Sequence, residues 1–171
     1  MLIILGGLPG VGKSTIAKKL ANKIGAVYLR IDSIEQAIKD AAKYNSLNKA
    51  EVVAEGYMVA YSIARDNLEI GLTVIADSVN PIELTRNDYR KIAQEANSPY
   101  FEVEIVCSDI ETHKKRIATR KSTIQGLKLP AWEDVENRDY EEWKTKKMTV
   151  DTSQKSIDEA VSSIFLEITN K

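Results

Sequence analysis

The chain has 171 residues, of which 24 are basic and 25 acidic, giving a formal net charge of -1. This length suits a single domain with a hydrophobic core of its own. The charge balance excludes the overall basic field that attracts nucleic acids or anionic membranes. One cysteine, Cys107, excludes an intramolecular disulfide framework and Cys-rich zinc spacing. Because it stands in an apolar stretch, we expect Cys107 to be a small buried hydrophobic residue.

The N-terminal residues carry no targeting signal. The run from Met1 to Leu5 is too short and lacks the positive flank of a signal peptide, and no apolar run approaches the length of a membrane span. With the single cysteine, these features predict a cytoplasmic protein with no membrane partner. We expect residues 1–171 to form one domain, as a monomer or a homodimer.

Strand and helix patterns alternate along the chain. Short apolar runs indicate strands, in chain order, at 2–5, 26–29, 72–76, 100–107 and 148–150. Apolar residues at helical spacing indicate helices at 16–24, 34–41, 53–68, 80–96, 109–120, 132–143 and 157–168. Residues 44–48 and 121–130 are expected to be loops. The alternation predicts an α/β fold in which helices cover both faces of a parallel sheet, with the ligand at the carboxyl ends of the strands.

Local signals make further predictions about single residues. Asn80 is expected to cap a helix, because a proline and an acid follow it at the first and third helical positions. Asp109 is expected to cap the basic helix that carries His113. We expect His113, the only histidine, to lie on the exposed surface of that helix.

A glycine-rich segment follows the first predicted strand. Residues Gly7 to Ser14 match the pattern Gly-x-x-x-x-Gly-Lys-Ser between a strand and a helix, the setting of a phosphate-binding loop. Glycines let the backbone turn tightly and direct N–H groups at phosphate oxygens, and the N-terminus of the next helix adds to the attraction. Lys13 can reach the outer phosphates, and the Ser14 hydroxyl can bind magnesium. The predicted ATP- or GTP-binding residues are Gly7, Leu8, Pro9, Gly10, Val11, Gly12, Lys13, Ser14 and Thr15.

Two aspartates follow strands at the same predicted edge of the sheet. Asp77 ends an apolar strand, where a carboxylate can hold magnesium directly or through water; the alternative is a turn cap. Asp32 follows the second strand and could accept the proton of an acceptor hydroxyl. A helix cap would also explain Asp32, since it forms a capping-box pattern with Glu35. The sequence leaves both alternatives open.

Arg116 and Arg120 are four residues apart and therefore share one face of a predicted helix. A loop follows them, so we expect residues 112–130 to form a lid whose arginines neutralise charge on a transferring phosphoryl group. The alternative is an ordinary basic surface. Further candidates to reach the cleft are Arg30, Asn80, Arg86 and Arg138.

These features resemble the small P-loop kinases of the adenylate-kinase-like group, and within it a family of AAA-type ATP-binding kinases sometimes labelled adenylylsulfate-kinase-like. The resemblance spans nearly the whole chain. The residues that carry it are Gly6–Ser14, Tyr28–Glu35, Ala76–Pro81, Arg86, Arg116, Arg120, Leu129–Val135 and Arg138–Tyr140. The resemblance implies a three-layer fold with a five-stranded parallel sheet in the order 2-3-1-4-5, ATP with magnesium, and a lid that supplies arginines.

By the same resemblance, Asp32 corresponds to an aspartate that several of these kinases use as the base on the acceptor side. This chain departs from the group shortly after that position. Adenylylsulfate and polynucleotide kinases carry an arginine there, whereas this chain has Glu35. Since a carboxylate repels phosphate and sulfate, the departure disfavours both kinds of acceptor.

The sequence therefore predicts an ATP-dependent phosphotransferase that moves the γ-phosphate of Mg-ATP to a hydroxyl of a small molecule. Its predicted catalytic residues are Lys13, Asp32, Arg116 and Arg120, and its predicted magnesium ligands are Ser14 and Asp77. Two alternatives stay open: a kinase of nucleosides, nucleotides or polynucleotide 5' ends, and a regulatory ATP-binding module without an acceptor. The near-neutral charge disfavours a nucleic-acid partner.

Overall fold

The computed structural model of the protein describes residues 1–44 and 54–170. Within them, five parallel strands form one sheet in the order β2-β3-β1-β4-β5, which confirms the predicted α/β class and strand order. The strands are β1 (Leu2–Gly6), β2 (Val27–Arg30), β3 (Val74–Asp77), β4 (Tyr100–Val106) and β5 (Met148–Asp151). The helices are α1 (Lys13–Ile24), α2 (Ile31–Tyr44), α3 (Glu55–Glu69), α4 (Glu83–Glu95), α5 (Ile110–Thr119), α6 (Trp132–Glu136) and α7 (Ile157–Thr169).

The sheet is the middle of three layers. Along β1, Ile3 and Leu5 point into a core shared with α1 and α7, whereas Leu2 and Ile4 point into a second core shared with α3 and α4. All of these side chains are fully buried. Burial on both faces explains why β1 is an uninterrupted apolar run rather than an alternating one.

The parallel register brings the ends of the central strands to one edge of the sheet. Leu5 of β1 lies opposite Asp77 of β3, and Arg30 of β2 lies on the other side of Asp77. The glycine-rich loop follows β1, and α2 follows β2. The loop, Asp77 and the start of α2 therefore meet at the carboxyl edge, where open α/β sheets bind their ligands.

The segment between β3 and α4 differs from the prediction at Asn80. The helix begins only at Glu83, so the prediction that Asn80 caps it is wrong. Asn80 is fully buried in left-handed backbone with φ 48°, and its side-chain amide donates a 2.7 Å hydrogen bond to the Leu5 carbonyl. The N–H of Gly7 donates to the carbonyl of Val79 at 3.1 Å. The segment after β3 is therefore hydrogen-bonded both to β1 and to the first residue of the phosphate loop.

The predicted helix at 132–143 is much shorter in the structure, because α6 ends at Glu136. Trp143 lies in the segment that follows, which has no regular secondary structure. Its ring is buried beneath the guanidinium of Arg86, with 4.5 Å between the guanidinium carbon and the ring centroid. A tertiary contact thus fixes Trp143 where helical spacing alone predicted a helix.

Two expectations fall at the limits of the described chain. The predicted loop at 44–48 lies outside the described residues except for Tyr44, the last residue of α2. Val53, the first residue of the third predicted helix, also lies outside them, and α3 begins at Glu55. Among the described residues, no helix is both long enough and apolar enough to cross a membrane.

Candidate active site

The glycine-rich loop joins β1 to α1 and turns through left-handed backbone. Gly7 and Gly12 have φ of 133° and 103°, values that favour glycine because a Cβ atom would be strained there. Space is equally restrictive at Gly7, where an added Cβ would lie 2.0 Å from the carbonyl oxygen of Ile105. Since α1 begins at Lys13, the loop lies at the N-terminus of that helix, where unpaired N–H groups favour an anion.

Lys13 is the buried cation of this loop. The residue is 8% exposed, and its ammonium donates a 2.9 Å hydrogen bond back to the carbonyl of Leu8. Burial lowers the pKa of Lys13 from 10.5 to about 8, while the charges of Asp77 and Asp32 oppose that change. Lys13 therefore lies within electrostatic reach of both aspartates. A bound polyphosphate would supply further negative charge and favour the protonated ammonium.

Asp77 is hydrogen-bonded to Tyr28. The aspartate is 3% exposed at the end of β3, and its Oδ2 accepts a 2.8 Å hydrogen bond from the Tyr28 hydroxyl. Burial and the charge of Asp77 raise the pKa of Tyr28, so the phenol stays protonated. Ser14 lies at the start of α1, next to Lys13.

These oxygen atoms fit a magnesium ion in the presence of phosphate. Magnesium takes one or two protein oxygens and completes its octahedron with water and substrate phosphates, and Ser14 and Asp77 supply a hydroxyl and a carboxylate. In the part of the chain that the structure describes, no group of three or more His, Cys, Asp or Glu is placed to hold a metal. An ion here would therefore depend on phosphate oxygens as well.

Asp32 and Glu35 lie at the start of α2. Asp32 is in the first turn of the helix, with its side chain 50% exposed and 3.6 Å from the guanidinium of Arg30. Burial raises the pKa of Glu35, and the neighbouring Asp32 raises it further. Glu35 packs closely on α3, because an added Cβ at Gly56 would lie 2.4 Å from its Cγ. The charges of the two carboxylates therefore repel each other at the start of α2. The role of Asp32 as a base stays a prediction.

Arg116 and Arg120 diverge in the structure. Because α5 ends one residue before Arg120, the two side chains no longer share a helical face. Arg116 donates to the side-chain and backbone oxygens of Thr152, at 2.7 and 2.9 Å, in the turn after β5. The charge of Arg120 interacts with Lys13 and Asp32. One arginine thus contacts the β5 turn and the other lies near the phosphate lysine, and both catalytic roles stay predictions.

The other candidate arginines have different surroundings. Arg86 is fully buried and does not line the cleft. Its guanidinium donates to the backbone carbonyls of Asn80, Pro81, Glu141 and Glu142. Arg30 does reach the cleft, where its Nη1 donates to the hydroxyl of Thr123 at 3.0 Å. Arg138 is close enough to lower the pKa of Glu35 and lines a surface depression of about 720 Å³ beside α6.

His113 is buried against the phosphate loop, so the expectation of an exposed residue is wrong. It is 5% exposed, and its Nε2 lies 2.8 Å from the carbonyl oxygen of Pro9. A carbonyl oxygen can only accept, so Nε2 must carry the proton. The ring packs edge-on against Trp132, with 5.2 Å between the centroids. Local sequence could not indicate this contact, because Pro9 is 104 positions away.

The start of α5 agrees with the prediction at Asp109 and differs from it at Cys107. The carboxylate of Asp109 accepts a 2.6 Å hydrogen bond from the N–H of Thr112, which confirms the predicted cap. Cys107 follows the last residue of β4 and is only half-buried. Its Sγ lies 3.6 Å from the guanidinium of Arg116. Cys107 therefore borders the arginine that contacts the β5 turn.

Residues 2–145 match the model of a protein family described as AAA domain. The probable adenylyl-sulfate kinase of Aeropyrum pernix is 24% identical, over 96% of this chain and 90% of that relative. The L-seryl-tRNA(Sec) kinase of Methanococcus maripaludis is 26% identical over 98% of this chain, which spans 66% of that relative. Among solved structures, the APS kinase of Mycobacterium tuberculosis in complex with AMPPNP and APS has a TM-score of 0.72 and 17% identity, covering 98% of this chain and 96% of that chain.

The solved structure and the family model show different properties of the chain. At 17% identity, the likeness to the solved structure shows the fold alone. The family model covers most of the chain, including the phosphate loop, Asp32, Asp77 and both arginines of the α5 region. The chain therefore belongs to the AAA domain family and is an enzyme of the P-loop kinase type.

Proposed function

We propose that this protein transfers the γ-phosphate of Mg-ATP to a hydroxyl of a small-molecule acceptor. The observation that carries the proposal is that the parallel register brings Lys13, Asp77 and Asp32 to one edge of the sheet. These residues come from the phosphate loop, the end of β3 and the start of α2. Groups suited to the donor and to the acceptor at one edge support a direct transfer between them.

The donor half uses the phosphate loop and the end of β3. Lys13 and the N–H groups of the loop would hold the β- and γ-phosphates, and Ser14 and Asp77 would hold magnesium. When bound, the ion would supply positive charge that neutralises the charge developing on the phosphates. Groups held by the loop and by β3 would need little reorganisation during such a reaction, which supports the proposal.

The acceptor half centres on Asp32. As the acceptor oxygen forms its bond to the γ-phosphorus, the bond from phosphorus to the β,γ-bridging oxygen breaks, and ADP leaves with that electron pair. The proton of the acceptor hydroxyl passes to the Asp32 carboxylate. Because half of this side chain is exposed, an entering hydroxyl has access to it.

Side chains of both charges surround Asp32. Its charged neighbours include Arg30 and Glu35, and the charges of Lys13 and Arg120 also act on it. The buried Gln36 faces the segment after α5, since an added Cβ at Gly126 would lie 3.0 Å from its Nε2. Glu35 opposes an acceptor that carries phosphate or sulfate. These surroundings favour a small polar alcohol without either group.

A screen of a metabolite pool tests the proposal. Purified protein is incubated with the pool, ATP and magnesium, and phosphorylated products are identified by mass against a Lys13→Met control. We expect one class of phosphorylated alcohol that the control does not form. A best acceptor that already carries sulfate or phosphate would contradict the role given to Glu35. ADP release at one slow rate with every acceptor would instead favour the regulatory ATP-binding module.

Asp32→Asn is expected to lower kcat by about 10²- to 10⁴-fold without lowering the melting temperature. Asparagine is close to aspartate in size and shape, but it carries no charge and cannot take the acceptor proton. The measurement is phosphotransfer to the best acceptor from the screen, beside Asp66→Asn, an exposed position on α3 that should keep the wild-type rate. An unchanged kcat with a lower melting temperature would show that Asp32 is a structural residue.

Replacing Arg116 or Arg120 by alanine is expected to change different kinetic constants. Arg120→Ala removes a cation near Lys13 and should lower kcat by about 10²-fold. Arg116→Ala releases Thr152, whose hydroxyl donates to the Val11 carbonyl of the phosphate loop at 2.8 Å. We therefore expect the KM for ATP to rise about tenfold, with a smaller change in kcat. Steady-state kinetics with varied ATP separates the two, and equal effects on kcat would favour a lid pair acting together.

A further inference from the structure

Tyr28 is hydrogen-bonded to one of the two predicted magnesium ligands. It lies on β2 in register with Ile75, so its ring runs beside the end of β3. Its hydroxyl donates to Oδ2 of Asp77 at 2.8 Å. The phenol of one strand is therefore bonded to the carboxylate that ends the neighbouring strand.

We infer that Tyr28 is a positioning residue for magnesium, which orients Asp77 without itself touching the ion. This inference rests on the proposed use of Mg-ATP. The phosphate-loop pattern accounts for Ser14, and the strand ending accounts for Asp77. Neither pattern calls for a tyrosine on the neighbouring strand. An outer hydrogen-bond partner of this kind fixes the orientation of metal ligands and affects metal affinity.

The direction of this hydrogen bond follows from the number of protons. A phenol has one proton and an ionised carboxylate has none, so Tyr28 must donate to Asp77. The bond holds Oδ2 of the carboxylate, so Oδ1 is the oxygen left to bind a cation. The carboxylate is thus presented as an acceptor before an ion binds.

Packing keeps the phenol in place. The Tyr28 ring packs against the core that the sheet forms with α1 and α7, and Asp77 is 3% exposed. Removing the hydroxyl alone would preserve the ring and leave Oδ2 of Asp77 without its donor. The freed carboxylate could then turn toward Lys13, whose charge already acts on it. We therefore expect metal binding to suffer more than folding.

The test measures how strongly Mg²⁺ tightens the binding of AMPPNP, by calorimetric titration in Mg²⁺ and in EDTA. Tyr28→Phe is expected to reduce this tightening factor about tenfold, with the EDTA affinity within twofold of wild type. Tyr61→Phe is the matched control. It also loses one tyrosine hydrogen bond, a 3.2 Å contact to the Thr85 carbonyl far from the loop, and should keep the wild-type factor.

A double variant keeps the inference testable by a second route. In an Asp77→Asn background, Tyr28→Phe should have no further effect on the tightening factor, because the ligand that it orients has lost its charge. An unchanged factor in Tyr28→Phe, or additive effects in the double variant, would overturn the inference. Equal losses in Mg²⁺ and in EDTA would also overturn it. If the AMPPNP affinity of the wild type does not depend on Mg²⁺, the proposed use of Mg-ATP is itself contradicted.

Discussion

Replacement of Lys13 by methionine is expected to lower phosphotransfer at least about 10³-fold while the protein stays folded. The ammonium lies at the head of α1, within electrostatic reach of Asp77 and Asp32, where the γ-phosphate would bind. Lys18→Met, at an exposed position of the same helix, is the control and should keep the wild-type rate. Retained phosphotransfer in Lys13→Met would contradict the donor site.

The same variant is expected to change the pH dependence of stability. Burial lowers the pKa of Lys13 in the nucleotide-free protein to about 8, below the ordinary 10.5. Between these values the unfolded chain binds a proton that the folded chain does not, so the free energy of unfolding of the wild type rises with pH. Below pH 8 the folded wild type carries the full free-energy cost of burying the charged Lys13 ammonium. Lys13→Met should therefore be more stable at pH 7, by up to about 3 kcal/mol, and the difference should shrink toward pH 10.5. Urea unfolding across this range measures it, and a constant difference would exclude the titration of Lys13 as its cause.

Arg86→Met is expected to lower the free energy of unfolding by about 3–5 kcal/mol. The guanidinium is fully buried and donates to four backbone carbonyls in two segments, the one after β3 and the one after α6. Methionine would fill much of the volume but remove the guanidinium donor from all four carbonyls, of which the Pro81 carbonyl would keep the N–H of Glu141. Urea unfolding of the variant and the wild type measures the change.

Arg65→Met is the matched control for Arg86. This arginine forms a 3.0 Å ion pair with Glu95, and both side chains are more than two-fifths exposed. Exposed pairs of this kind contribute below about 1 kcal/mol, so the control should unfold almost as the wild type does. A similarly small loss in Arg86→Met would mean that water replaces the guanidinium.

The features that follow from local rules were predictable from the sequence. The run from Leu2 to Leu5 is apolar because both faces of β1 are buried, and length and composition indicated a strand. The loop from Gly7 to Ser14 has a spacing that phosphate chemistry requires. The strand order came from resemblance to known kinases, because periodicity gives the strands but not their neighbours in the sheet.

Two residues that sequence reasoning misjudged, Asn80 and His113, act through distant partners. Asn80 bonds to a carbonyl 75 positions away and His113 to one 104 positions away. Local patterns described them as a cap and a surface residue. The strand predicted around Tyr28 is correct, but the pattern gave no sign of its bond to a carboxylate 49 positions away. Arg116 and Arg120 had the right helical spacing, but the helix ends between them. Such contacts depend on which elements the fold brings together, and a local pattern does not contain that information.

The two hydrogen bonds that tie the segment after β3 to β1 and the phosphate loop have a consequence for redesign of this enzyme. With Asn80 bonded to Leu5 and Gly7 bonded to Val79, the phosphate loop is fixed relative to the end of β3. Neither bond involves α2 or residues 120–131. Under the proposed function, substitutions there outside Asp32 and Arg120 would change the choice of acceptor and leave the donor site in place. Selection of variants for a new acceptor can therefore begin with those positions.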